Sequence, residues 1–267
     1  MSRLTLAWFN LTQQAGQDLC LKIPICEVYS RVIDRAFHAL SHIGWRDSER
    51  GTGYTYFKHI TDEQRDRLNA FLELLQSTLC LTISPHLQPS FTNELDEAYA
   101  LDFTFQQGVQ PLTYTDPGKL QHEAKDLRIA SAANALATVA TEVIRGHPTL
   151  LRADIIAAMP RRPSKPYHLP EHLLSEIGAI LKRPVGLRLF KTDHPKLRDL
   201  SLPQKLEALK TVFRLEESVQ GKSVLIIDDL YQSGASVWSL AGFLKSNGAR
   251  EVYALACVKS WSDTDNV

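Results

Sequence analysis

Residues 223–241, SVLIIDDLYQSGASVWSLA, constrain this chain more than any other stretch. Val224, Leu225, Ile226 and Ile227 form a short unbroken apolar run, which suits a strand buried on both faces. Asp228 and Asp229 follow, and then the small-residue loop Gln232-Ser233-Gly234-Ala235-Ser236. From Ala235 onward, Val237, Leu240, Ala241 and Leu244 recur at helical spacing. A helix start offers free N–H groups and the positive end of the helix dipole, and together these hold a phosphate. Gly234 lets backbone approach closely, and Ser233 and Ser236 add hydroxyl donors. Carboxylates at the carboxyl end of a strand accept from a diol or hold Mg²⁺ through water. Strand, twin acids, loop and helix start together predict a site for a phosphorylated sugar.

Three other readings fit parts of the pattern. A strand ending in two acids also occurs as the Walker B element of ATPases. That element needs a partner GxxxxGK[ST] loop, and Gly221-Lys222-Ser223 is only its tail: position 216 is glutamate, and the triplet precedes a strand. Acidic pockets of the response-regulator kind leave the Ser-Gly-Ala-Ser helix start unexplained. An ordinary strand-turn-helix with solvated acids is the plainest alternative.

The stretch resembles the motif that binds 5-phosphoribosyl-1-pyrophosphate (PRPP) in type I phosphoribosyltransferases. There an apolar strand, two acids and two variable residues lead into T-T-G-x-T. Here Ser233 and Ser236 keep hydroxyls where threonines are usual, and Gln232 departs from the pattern. The resemblance implies that Asp228 and Asp229 bind the ribose hydroxyls. It also implies that residues 232–236 (Gln232, Ser233, Gly234, Ala235, Ser236) hold the 5′-phosphate, with Mg²⁺ as cofactor near Asp228 and Asp229. It extends, less specifically, over residues 112–260. Met159-Pro160-Arg161-Arg162 follows a strand candidate, where the family places its pyrophosphate loop. In the ComF-like branch that loop reads P-V-P before a basic segment; Pro160, Arg161 and Arg162 are what this chain keeps. Residues 191–198, including Lys196, fall where the family has a mobile loop over PRPP. ComF-type proteins often carry an N-terminal zinc ribbon, and this chain lacks its paired cysteines.

The rest of the chain sets the frame. Its 267 residues accommodate an α/β domain and a smaller region, and 44% hydrophobic content is that of a globular protein. The formal net charge is zero, so no global field marks a nucleic-acid or membrane binder. Between Pro160 and Lys210, however, stand eleven Lys/Arg and five Asp/Glu, an excess of six positive charges. A highly phosphorylated small anion accounts for that excess, and so does a nucleic acid. Cys20, Cys26, Cys80 and Cys257 include no CxxC pair and read as free thiols, with a Cys20/Cys26 redox pair as the alternative. No apolar run spans a membrane, and residues 1–10 are too short in apolar core for a signal peptide. The expectation is a cytoplasmic protein with no membrane partner.

Along the chain, residues 27–40 fit a helix, and His38 and His42 sit at metal-compatible spacing but read as ordinary side chains. The Gly51-Thr52-Gly53 run signals a hairpin or turn. Thr61 is an N-cap for a helix to Leu79. Residues 93–105 are acidic and apolar, read as a solvated helix or edge segment. Thr115-Asp116-Pro117-Gly118 signals a turn, and residues 119–145 a single long helix ending at Gly146. From Ala153 strands and helices alternate: strands at 154–159, 185–189, 223–228 and 251–258, helices at 169–182, 203–211 and 235–247. Such alternation predicts a parallel sheet covered by helices, with ligands at the carboxyl ends of the strands. The expected fold is therefore the α/β type I phosphoribosyltransferase fold over 111–267, preceded by a divergent mixed α/β region, 1–110. That first region is a possible surface for a protein partner. The function implied is transfer of a phosphoribosyl group to a nitrogen acceptor with release of pyrophosphate. A non-catalytic PRPP or nucleotide sensor serving DNA uptake, processing or defence is the alternative, and a nucleic-acid adaptor using residues 160–210 is a third.

Overall fold

The computed structural model describes residues 4–13, 17–48, 51–83, 85–91, 94–164, 166–192 and 200–261. The chain parts into two compact units: Met1–Leu79 with Val143–Arg152, and Cys80–Glu142 with Ala153–Val267. Residues 97–103 join the sheet of the second unit.

The first unit runs β1 (Asn10–Thr12), β2 (Leu19–Pro24), α1 (Glu27–Ala36), β3 (Arg46–Asp47), β4 (Thr52–Phe57) and α2 (Asp62–Ser77). Its antiparallel sheet has the order β1-β2-β4-β3. Leu19, Leu21, Ile23 and Phe57 are buried on one side of it, as the two-residue period of a strand dictates. α2 opens on a capping box in which Thr61 and Gln64 bond each other's backbone N–H. His42 spends its ring nitrogens on Thr55 Oγ1 at 3.1 Å and Asp34 at 3.4 Å, while His38 faces the Arg35 carbonyl. Their spacing serves local packing.

The second unit is built on β5 (Leu79–Cys80), β6 (Glu97–Phe103), α3 (Asp116–Lys125), α4 (Ala130–Gly146), α5 (Pro148–Leu151), β7 (Ile155–Ala158), α6 (Leu169–Leu181), β8 (Leu189–Lys191), α7 (Leu202–Lys210), β9 (Phe213–Leu215), β10 (Ser223–Tyr231), α8 (Ala235–Ser246) and β11 (Glu251–Lys259). The end of α4 and all of α5 return to the first unit. The main sheet has the order β5-β6-β11-β10-β7, and the neighbours β6–β11, β11–β10 and β10–β7 are parallel. α6 packs on β7 and β10, and α3 and α8 pack on β11. The α/β class, with a parallel sheet flanked by helices, is as the alternation predicts.

Four local readings change. Residues 97–103 form the buried strand β6, inside the sheet between β5 and β11, rather than a solvated helix or edge segment. Two acids of the stretch 93–105 are absorbed: Asp96 accepts from Val252 N and meets Lys245 Nζ, both at 2.8 Å, and Glu97 accepts from Tyr99 Oη at 2.9 Å. Thr115 is the N-cap of α3, its hydroxyl accepting from Gly118 N, so the turn residues open a helix. The single helix at 119–145 is two, α3 and α4, broken at Arg128, whose φ is 58°. Finally, the strand expected at 185–189 gives one bond to β7, Gly186 N to Ile156 O at 2.8 Å, before the chain turns into β8. β8 pairs with β9 in a separate antiparallel ribbon.

Among the described residues, no helix is long and apolar enough to cross a membrane.

Candidate functional site

Parallel strands end on one edge of their sheet, and their exits there converge. β10 and β7 are in register from Val224↔Ile155 to Ile227↔Ala158. Met159 N donates to Ile227 O at 2.8 Å, so the exit of β7 lies beside Asp228. On the other side β11 pairs with β10 as far as Tyr231↔Lys259. Lys259 Nζ donates to the carbonyls of Gln232, at 3.2 Å, and Ser260, at 3.0 Å. The loop after β10 is thus tied down by a buried lysine on the neighbouring strand.

These exits surround a cavity of about 620 Å³, within the usual size of small-ligand sites. Asp228, Asp229, Gln232, Ser233, Gly234, Ala235 and Ser236, all singled out in the sequence, line it together. Arg162 lines it too. Arg161 is not among the lining residues; it is exposed, and its Nε lies 3.7 Å from Glu171. Lys196 lies outside the described residues.

The acidic pair is asymmetric. Asp228 is 8% exposed, and its Oδ1 accepts from Asp229 N at 2.8 Å. Burial, and then the negative charge of Asp229, push its carboxyl up to about 8, against the pull of Lys125 and Lys191. Asp229 is more open and binds Lys125 Nζ at 2.5 Å. Burial works against the charge on Lys125, but Asp229, with Asp228 behind it, outweighs burial and raises the ammonium above its ordinary range.

The loop has a built floor. Gly234 adopts φ 97° as the N-cap of α8, a conformation that costs other residues dearly. A Cβ here would stand 2.3 Å from Tyr231 Oη and 3.0 Å from Trp238 Cδ1. The protein's own side chains beneath it therefore require the glycine. Tyr231 is buried; its hydroxyl donates to Thr82 O at 3.3 Å and accepts from Trp238 Nε1 at 3.1 Å. Burial pushes the Tyr231 hydroxyl up. Ser233 is buried as well, its Oγ accepting from Ala235 N at 3.3 Å, so its hydroxyl shapes the loop. The amides of Ser236 and Val237 stand in the first turn of α8, which leaves them without intrahelical acceptors.

Several lining residues escape sequence reasoning. Lys125, Asp126 and Arg128 come from the break between α3 and α4, and Tyr167 from the loop before α6. Tyr167 Oη donates to Ala124 O at 3.0 Å, and the Arg128 guanidinium lies 5.9 Å from the Tyr167 ring centre, a cation–π contact that holds the break. Lys191, on β8, and Lys205, on α7, are buried and line the same space. With Arg162 they make, among the described residues, five basic side chains facing three acidic ones. The Gly221-Lys222-Ser223 triplet sits at the opposite end of β10: Ser223 N and Oγ both donate to Asp154 Oδ2 at 2.8 Å. It is structural.

Two adjacent carboxylates are oxygen donors of the kind Mg²⁺ takes. Among the described residues no group of three or more His, Cys, Asp or Glu gathers around them. The pair fits an ion that completes its shell with ligand oxygens and water.

No protein-family description matches the sequence, and no curated protein matches it. Solved structures do. A hypoxanthine phosphoribosyltransferase from Trypanosoma cruzi is 11% identical, with 53% of this chain and 69% of that one covered at a TM-score of 0.35. One from Staphylococcus aureus is 13% identical over 55% and 69%, at 0.30. Likeness at this level leaves the functional reading to the chain's own topology and cavity.

Proposed function

We propose that the second unit binds PRPP and transfers its phosphoribosyl group to a nitrogen acceptor, releasing pyrophosphate. The observation that carries the reading is that twin acids and an open helix start line one cavity with, among the described residues, five basic side chains. In this reading the amides of Ser236 and Val237 receive the 5′-phosphate, with the Ser236 hydroxyl beside them. Asp229 and Asp228 accept from the ribose diol. Arg162, Lys191 and Lys205 neutralise the pyrophosphate. When the C1–O bond breaks, pyrophosphate leaves with the electron pair and the acceptor nitrogen forms the new C1–N bond, its proton passing to solvent. Fixed cations in a partly dry cavity stabilise the charge that gathers on the departing group, and held geometry supplies the rest. Asp228 and Asp229 would hold Mg²⁺, which would supply further charge neutralisation.

Pro160, Arg161 and Arg162 after β7 support a ComF-like affiliation within the phosphoribosyltransferases. The four cysteines, all free, support work in the reducing cytoplasm. The burial of Lys191 and Lys205 against the cavity favours a small anion over a polymer as the partner of the 160–210 basic stretch.

One observation favours the sensor reading: Lys125 already holds the carboxylate that the ribose needs. Binding without turnover would follow if that ion pair persists in the complex. Thermal unfolding with PRPP and Mg²⁺ tests the site. A rise in Tm that disappears in the Asp228→Asn, Asp229→Asn double variant supports it, and an unchanged rise in that variant refutes the ribose role. Pyrophosphate release across nitrogenous bases then separates transfer from sensing.

A further inference from the structure

The sheet of the first unit has two unlike faces. Leu19, Leu21, Ile23, Thr55 and Phe57 point inward and are buried. The alternate positions make three rows across the strands, of which Pro24 and Thr52 are the outermost. The first is Asn10, Lys22, Tyr54 and Arg46, one residue from each of the four strands, in direct register. The second is Thr12, Cys20 and Tyr56.

Asn10, Thr12, Lys22 and Arg46 are exposed, the two tyrosines are half-buried, and Cys20, beside Tyr56, is buried. The rings of Tyr54 and Tyr56 lie 6.1 Å apart at 87°. Tyr54 is thus flanked by a cation on each neighbouring strand, while the Cys20 side chain beside Tyr56 holds its hydroxyl above the ordinary range, against the pull of Arg46. Lys58, exposed, continues the alternation past β4, and Asp18, just before β2, is the acid of the same parity.

We propose that this face binds single-stranded nucleic acid. Unstacked bases have two flat faces and a charged backbone, and the rows offer the complement of each: aromatic rings for the bases and cations spaced between them for the phosphates. Asn10 and Thr12 supply donors and acceptors at the margin. A duplex hides its base faces and fits less well. A protein partner wants an apolar interface core, and on this face the only apolar aliphatic side chain in the three rows is Pro24, at its margin. The inference is independent of the phosphoribosyl reading, since every residue in it belongs to the first unit.

The test is fluorescence anisotropy on the full chain with end-labelled oligouridylate and oligodeoxythymidylate of about twelve nucleotides, and a mixed-sequence duplex of the same length. Single strands are expected to bind about tenfold or more tighter than the duplex at equal salt, and the RNA and DNA arms show which sugar is preferred. Tyr54→Ser with Tyr56→Ser is expected to lower affinity by roughly thirtyfold or more, at about fivefold or more per lost stack. Tyr54→Phe with Tyr56→Phe, which keeps the rings, is expected to retain it. Lys22→Gln with Arg46→Gln should flatten the slope of log affinity against log salt by about 1.4. The Asp228→Asn, Asp229→Asn variant should bind unchanged, which keeps this test separate from that of PRPP. Circular dichroism checks the fold of each variant, and the Phe and Gln pairs decide the matter if the Ser pair does not fold. The proposal is overturned if no single strand binds at low salt, if the duplex binds equally well, or if removing rings and cations leaves affinity intact.

Discussion

Replacing Gly234 by alanine tests how the loop after β10 is built. Its φ of 97° is open to glycine and costs an L-residue about 1–2 kcal/mol. The added methyl also meets Tyr231 Oη at 2.3 Å, Tyr231 Cζ at 2.7 Å and Trp238 Cδ1 at 3.0 Å. Overpacking of that kind costs about 1–3 kcal/mol. The two together predict a loss of roughly 2–5 kcal/mol, or about 4–20 °C in the unfolding temperature of a unit this size. Differential scanning calorimetry reads it directly. Tyr231→Phe by itself removes a donor to Thr82 O and an acceptor for Trp238 Nε1, at a cost of about 1–3 kcal/mol. In the Gly234→Ala background it also removes the nearest clashing atom. The double variant is therefore expected to lose less than the sum of the singles, with a coupling of about 0.5 kcal/mol or more. A Gly234→Ala protein that melts like the parent, or costs that simply add, would refute the role given to the Tyr231 floor.

Lys125→Gln is expected to lower stability by about 1–2 kcal/mol, less than a fully buried pair would cost because Lys125 is 34% exposed; urea titration checks it, and an unchanged midpoint would contradict the pairing with Asp229. His147, buried in the first unit, has its imidazole pushed down to about 3 by burial, with the Arg152 charge adding. Its unfolded value is near 6.5, so below that pH the unfolded chain takes a proton that the folded one refuses. Stability is therefore complete above pH 6.5 and falls as pH drops toward 3, by up to about 1.4 kcal/mol per pH unit. His147→Phe, which keeps a ring against Phe71, should flatten that acid limb; an unaltered slope would assign it to other groups.

The strand-loop-helix that builds the acidic side of the cavity and its loop was legible because each of its parts is local. An unbroken apolar run, two acids, a glycine and a helical stripe follow one another, and β10 and α8 fall on them. The cationic side was not. Lys125 stands at a helix end that no glycine or proline announces, because Leu127 and Ile129 continue the apolar spacing although both are exposed. What stops the helix lies elsewhere in the chain: Tyr167, through its bond to the Ala124 carbonyl. Lys191 and Lys205 stand in the basic 160–210 stretch, but no local pattern shows that their side chains are buried against the cavity. β6 hid behind its acids for the same reason: the groups that satisfy Asp96, Lys245 and Val252 N, come from more than a hundred residues away. Turn chemistry misled at Thr115-Asp116-Pro117-Gly118, because an N-cap followed by an early proline draws on the same residues as a turn.

The most direct measurement is a crystal structure of the protein with PRPP and Mg²⁺. The account predicts the 5′-phosphate within hydrogen-bonding distance of the Ser236 and Val237 amides, the ribose hydroxyls on Asp228 and Asp229, and pyrophosphate toward Arg162, Lys191 and Lys205. A ligand bound away from this cavity, or a complex in which both carboxylates turn from the sugar, would contradict it.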